Sequence, residues 1–168
     1  LLGLDDRRRH VDDEEHERVH ERVAAVDVAK DSGVVCTRTP HPSRPAARRS
    51  TVWTVTARMK AIRGLGRQLK KDGIEIVTLE STSDYWRIWF FVLEACGLAV
   101  QLVNAAQARN LPGRPKTDKL DAQWLARLTE MGLLRASFVP PKAVRDLRDY
   151  TRARARLTTG GVRHPRAR

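Results

Sequence analysis

Residues 23–56 read VAAVDVAKDSGVVCTRTPHPSRPAARRSTVWTVT, and the order of elements in that stretch decides the fold class. Three β-branched runs lie in it: Val23 to Ala29, Val34 to Arg38 and Thr51 to Thr56. Each has strand composition, and no helical period separates them, as in an antiparallel meander. Thr39 to Ser50 carries three prolines and three arginines and reads as a loop between the second and third strands. One carboxylate, Asp27, interrupts the first apolar run.

Downstream, helices and strands alternate. Ala57 to Lys71 reads as a basic helix, weakened by Gly64 and Gly66 and ended by Gly73. Ile74 to Leu79 is a strand, Tyr85 to Cys96 a helix closed by Gly97, and Leu98 to Val103 another strand. Asn110 to Lys116 (NLPGRPK) is a Pro/Gly loop leading into a helix from Thr117 to about Met131. Pro140 and Pro141 break the chain, and a basic helix runs from Lys142 to Leu157. The expected class is α/β with a mixed sheet, a three-strand meander followed by alternating helices and strands. By topological analogy this is the order of the RNase H-like fold. The expected domain plan has a charged lead segment over 1–22, disordered or a frayed helix. The main α/β domain covers 23–141, a basic helix 142–157, and a disordered tail 158–168.

The bulk numbers fit a single domain with tails. There are 168 residues, 41% of them hydrophobic, with a net charge of +12. No apolar run reaches the roughly 18–20 residues of a membrane span, and no signal peptide is evident, so a cytoplasmic protein is expected. Cys36 and Cys96 imply no disulfide framework and read as reduced core thiols. The charge is uneven: residues 1–26 hold eight acids against five bases, whereas residues 122–168 hold three acids against eleven bases. A basic surface is the footprint of a polyanion binder, or simply a solvated face.

Four carboxylates stand where acids are costly. Asp27 sits mid-strand, where an unpaired charge costs several kcal/mol; Ala25 and Ala29 share its face and leave room for something to approach. An exposed Asp on a half-solvated strand is the plain alternative. Glu80 follows the strand Ile74 to Leu79, at the carboxyl end where function collects in α/β sheets. Asp118 and Asp121 are three apart at a helix start and share a face. With Asp118 at 0°, Leu120, Met131, Trp124, Leu128 and Leu125 fall between about 200° and 340°, and Asp121 near 300°, inside that arc. Asp118 also has a plain role, as a first-turn acid favoured by the helix dipole. Like charges held together call for a cation, and oxygen-only ligands suit Mg²⁺ or Mn²⁺.

The segments VAAVDVAKDSGVV, VTLESTSDYW, LVNAAQARNLPGRPKTDKLDAQWLARL and GLLRASFVPPKAVRDLRDYTRARARL resemble the DEDD transposases of bacterial insertion sequences, the bridge-RNA-guided recombinases. The resemblance runs from about residue 23 to about 157. It implies an RNase H-like, RuvC-like N-terminal domain whose magnesium site is Asp27, Glu80, Asp118 and Asp121. It further implies metal-dependent DNA strand cleavage and transfer, a structured element-encoded guide RNA, a homo-oligomer, and a bacterial, nucleoid-associated setting. Full-length members add a C-terminal domain that supplies a serine nucleophile. After Leu157 this sequence reads TTGGVRHPRAR, so a chain truncated before that domain is expected, binding metal and nucleic acid without recombining DNA alone. A nucleic-acid-binding remnant and a stand-alone RuvC-type nuclease are the alternatives.

Arg114 and Lys116 in the Pro/Gly loop, and Arg145, Arg148 and Arg152 on the basic helix, are candidate phosphate contacts or solvated charges. His16-Glu17-Arg18-Val19-His20 matches the zincin pattern H-E-x-x-H, but it lies in the charged lead segment, flanked by Glu15 and Glu21. Trp53, Trp86, Trp89 and Trp124 have apolar neighbours and are assigned to the core rather than to base stacking.

Overall fold

The computed structural model describes residues 18–80, 83–104 and 118–160; side chains at 45, 46, 118–120, 159 and 160 lie outside that description. The chain forms two units, residues 1–137 and 138–168.

The first unit is built on a five-stranded sheet in the order β3-β2-β1-β4-β5. The strands are β1 Val23–Val28, β2 Ser32–His41, β3 Arg44–Thr56, β4 Ile76–Glu80 and β5 Val100–Val103. β1, β2 and β3 form an antiparallel meander, and β4 and β5 add parallel to β1. The expected α/β class and meander are therefore observed, in the strand order of the RNase H-like fold.

The stretch Thr39 to Ser50 is a correction. It is not a loop: β2 runs to His41 and β3 starts at Arg44, so only residues 42 and 43 turn. β1 pairs with β2 only as far as Arg38, beyond which β2 and β3 continue as a two-stranded ribbon. Among the described residues only β3 pairs with β2 beyond Arg38, so that stretch of β2 has an open edge, where proline is tolerated, and the register shifts between Pro40 and His41.

Helices α1 (Met59–Lys71) and α2 (Trp86–Ala95) cover one face of the sheet. α1 buries Ile62, Leu65, Gly66 and Leu69, an i, i+3, i+4, i+7 stripe. Gly66 is the point of closest approach: a Cβ there would stand 2.7 Å from Cys96 Sγ at the end of α2. The glycine that weakens the isolated helix lets the two helices pack. Trp89 of α2 is fully buried, and it and Val26 leave no room for a side chain at Gly33 of β2. Val26 therefore faces α2.

Helix α3 (Asp118–Glu130) covers the other face. Ala122, Leu125, Ala126 and Leu128 pack on Ala25, Cys36 and Val103 in one buried cluster. Each leucine so buried contributes about 1.5–3 kcal/mol. Gly132, at a φ of 67°, turns the chain off α3 in a conformation that side chains other than glycine's disfavour.

The chain also engages the fold before β1. Val19 and His20 donate backbone N–H groups to the Glu130 carbonyl, at 2.9 and 3.2 Å. Glu21 and Arg22 donate theirs to the Glu75 carboxylate. Residues 18–22 are thus tied to the domain, and residues 1–17, including His16 and Glu17, lie outside the described residues. No helix forms over 18–22, so His20 is not on a zincin helix.

The second unit holds α4 (Lys142–Gly160), three residues longer than expected. Residues 161–168 lie outside the description. No helix among the described residues is long and apolar enough to cross a membrane.

Candidate active site

Asp27 and Glu80 are brought together by register. They are direct partners on the parallel strands β1 and β4, which places their backbones about 4.8 Å apart and both side chains on one face. That face belongs to α3, because Ala25, two residues before Asp27, lies in the α3 cluster. Likewise Thr78, two residues before Glu80, lies with its hydroxyl 2.7 Å from that of Thr129 on α3. Glu80 is buried, at 7% exposure, and Asp27 is half-buried. Two carboxylates therefore occupy neighbouring positions at the carboxyl end of the central strands.

Contacts at its C-terminal end give the direction of α3. Thr129 meets Thr78, the register partner of Ala25. Glu130 meets Arg38, the register partner of Val23 at the start of β1. α3 therefore runs antiparallel to β1, and its N-terminus lies toward Asp27 and Glu80. Asp121 is eight residues before Thr129, about 12 Å back along the helix. Glu80 is about 7 Å beyond Thr78 in the same direction. Asp121 is half-buried and stands one turn before Leu125; Asp118 stands one turn before Ala122. Both carry the sheet-facing stripe toward the acidic end, with Asp118 placed by its backbone alone.

Among the described residues, no three His, Cys, Asp or Glu side chains form a group able to hold a metal. The Asp118 side chain is outside that description. Asp27 and Glu80 are register partners on adjacent strands, while Asp121 is at the same end of the same face. Arg114 and Lys116 lie outside the described residues. Arg145, Arg148 and Arg152 belong to α4 in the second unit: Arg145 donates to the Pro140 carbonyl at 2.7 Å, and Arg148 and Arg152 are exposed. Trp89 is in the core as expected, and Trp53, Trp86 and Trp124 are half-buried.

One polar cluster escaped the sequence reading. Glu130, 1% exposed, is clamped by Arg38, whose Nε donates to Oε2 at 2.7 Å, and by Arg48, whose Nε is in close charge contact with Oε1. Arg48 also reaches the Glu21 carboxylate at 2.9 Å. This cluster joins β2, β3, α3 and the segment before β1. Gln101 of β5 adds a bond of 2.7 Å to Thr78, whose hydroxyl meets Thr129. These contacts fix where α3 sits along the sheet, and so where its acidic end falls.

The family model DEDD_Tnp_IS110, described as Transposase, matches residues 24–164. The chain belongs to this transposase family. Among solved structures, Thermus thermophilus RuvC is similar at 13% identity, with a TM-score of 0.49, covering 69% of this chain and 99% of that one. The same enzyme in complex with a Holliday junction substrate gives 14% identity and a TM-score of 0.48, covering 70% and 100%. The fowlpox virus Holliday junction resolvase gives 15% and 0.41, covering 67% and 94%. No curated protein matches the chain. The match to this DEDD transposase family begins one residue into β1 and covers Asp27, Glu80, Asp118 and Asp121.

Proposed function

We propose that this transposase domain cuts and joins DNA strands at a divalent-metal centre held by Asp27, Glu80, Asp118 and Asp121. The observation that carries the reading is the register pairing of Asp27 with Glu80 at the end of the strands toward which α3 brings its two aspartates. A carboxylate whose strand neighbour is another carboxylate is favoured when a cation lies between them. The donor set is all oxygen, which fits Mg²⁺ or Mn²⁺ rather than zinc. Bound there, such an ion polarises the scissile phosphate and lowers the pKa of a nucleophile. The chain's own share is positional: β1 and β4 fix Asp27 and Glu80 rigidly, and α3 supplies the other two acids from one helical face.

DNA is the substrate on this reading. Family membership further supports an element-encoded guide RNA, assembly into a homo-oligomer and a cytoplasmic setting. The catalytic domain is taken as residues 23–141, with the basic helix of 142–157 and its Arg145, Arg148 and Arg152, together with Arg114 and Lys116, as phosphate contacts. The test is calorimetric titration of the chain with Mn²⁺, alongside a strand-cleavage assay on branched DNA. Mn²⁺ binding that disappears in both Asp27→Asn and Asp121→Asn is expected. Undiminished binding in either variant would overturn the four-acid site.

A further inference from the structure

Helix α1 carries no acidic residue and five bases, Lys60, Arg63, Arg67, Lys70 and Lys71. At 100° per residue all five fall within an arc of about 100°, and they extend about 16 Å along the helix. All are exposed. Among the described residues, no acidic side chain pairs with Lys60, Arg63, Arg67 or Lys71. Neighbours three and four apart on this face repel one another, by about 0.2–0.5 kcal/mol per pair in isolated helices. Anions from outside relieve the repulsion on such a face.

Beside it lies a groove of about 590 Å³, lined by Arg63, Arg67 and Lys70 on one wall and by Phe91, Val92 and Cys96 on the other. Met59, 54% exposed, and Phe91, 37% exposed, offer apolar surface to it. Because Val26 faces α2 whereas Ala25 and Asp27 face α3, this groove is on the opposite side of the sheet from the carboxylates. Symmetric pairing of two copies through it would press five bases against five. A row of evenly charged positions suits a phosphodiester backbone, and an aromatic, apolar wall suits an unstacked base.

We propose that the α1/α2 groove binds an unpaired nucleic-acid strand, with its phosphates along the α1 row and a base against Met59 and Phe91. This makes a second nucleic-acid site that needs no metal and is independent of the four-acid centre. The contacts invoked, guanidinium and ammonium groups to phosphate and an apolar wall to a base face, are common to DNA and RNA strands.

The test is fluorescence anisotropy in EDTA with labelled dT15, rU15 and a 15-base-pair duplex, over a range of salt. Arg63→Gln/Arg67→Gln removes two phosphate contacts at exposed positions. It is expected to weaken dT15 binding and to reduce the salt slope by about 1.4, at about 0.7 per contact for a single strand. Phe91→Ala is expected to weaken dT15 by at least about fivefold while sparing the duplex. Phe91→Leu, which keeps the apolar packing, is the matching variant if the alanine form unfolds. An unchanged salt slope in the double variant overturns the proposal. So does a duplex bound as tightly as dT15, or competition by poly-glutamate as effective as that by unlabelled dT15. Loss of metal binding in Asp27→Asn with dT15 binding intact would leave this site standing whatever became of the acidic one.

Discussion

Helix α3 carries acids at both ends, and the two ends solve the problem of a buried charge in opposite ways. At the C-terminal end Glu130 is enclosed by the guanidinium groups of Arg38 and Arg48. At the N-terminal end Asp118 and Asp121 approach a region where the strand neighbour of Asp27 is another carboxylate, Glu80. A buried acid among arginines is a fastening; acids gathered beside acids are, under the function proposed above, a ligand set. Both ends are acidic in sequence, and only the partners distinguish a structural role from a chemical one.

The largest expected effect tests the fastening. Glu130→Ala takes from Arg38 and Arg48 the buried carboxylate they share and leaves Arg48, only 5% exposed, with the exposed Glu21. Breaking a buried pair on one side costs about 3–5 kcal/mol, so the variant should unfold at distinctly lower denaturant. Replacing Arg38, Arg48 and Glu130 together by apolar residues of similar volume should recover much of the loss. A Glu130→Ala midpoint equal to wild type would mean that the cluster does not hold α3.

The acidic end should behave the other way. Without divalent metal, Asp27→Asn removes one of two adjacent like charges and should be no less stable than the parent chain. With Mn²⁺ at about a hundred times its dissociation constant, the parent chain should gain about 2.7 kcal/mol and the variant nothing. Thermal scans with and without Mn²⁺ separate the two ends. If Asp27→Asn destabilised the metal-free chain as Glu130→Ala does, the contrast between them would disappear.

How far these ends were legible in the sequence follows from the range of the interactions. Asp27 and Asp121 were readable because each breaks a local apolar pattern, one in a strand and one in a helical stripe. That Asp27 and Glu80 are register partners was not readable, since pairing between strands some fifty residues apart is set by packing, not by local pattern. Glu130 looked like an ordinary residue of a last helical turn, and its partners lie 92 and 82 residues earlier in the chain. Arg48 was hidden further, in a stretch whose prolines pointed to a loop. Pro40 is tolerated because β2 has an open edge beyond Arg38, a property of sheet width that local composition does not record. Gly66 was misleading for a related reason: it weakens α1 by itself and permits the contact with Cys96. The helices and most strands were legible because their apolar periods are local.

The smallest effect, absent at neutral pH, sits between the two ends. Cys36 lies on β2 in the α3 cluster, and burial pushes its thiol from 9.0 up to about 12. Arg38 works against that rise, and Glu130 adds to it. The folded chain therefore holds the thiol protonated above pH 9, where the unfolded chain has begun to ionise it. A raised folded-state pKa contributes stability that is complete below pH 9 and is lost as pH climbs from 9 toward 12. Cys36→Ala, which also removes a buried sulfur, should lower stability at pH 7 yet flatten the decline across that alkaline window, as read from denaturant midpoints at successive pH values. At neutral pH a thiol reagent should label the half-buried Cys96 and leave Cys36 untouched until the chain unfolds. Weakening the clamp with Arg38→Gln removes the one neighbouring charge that favours the thiolate, so the alkaline decline should become steeper. If labelling of Cys36 were fast in the folded chain, the packing of α3 on β2 would be looser than the Glu130 clamp requires, and the structural end of the helix would lose its distinction from the chemical one.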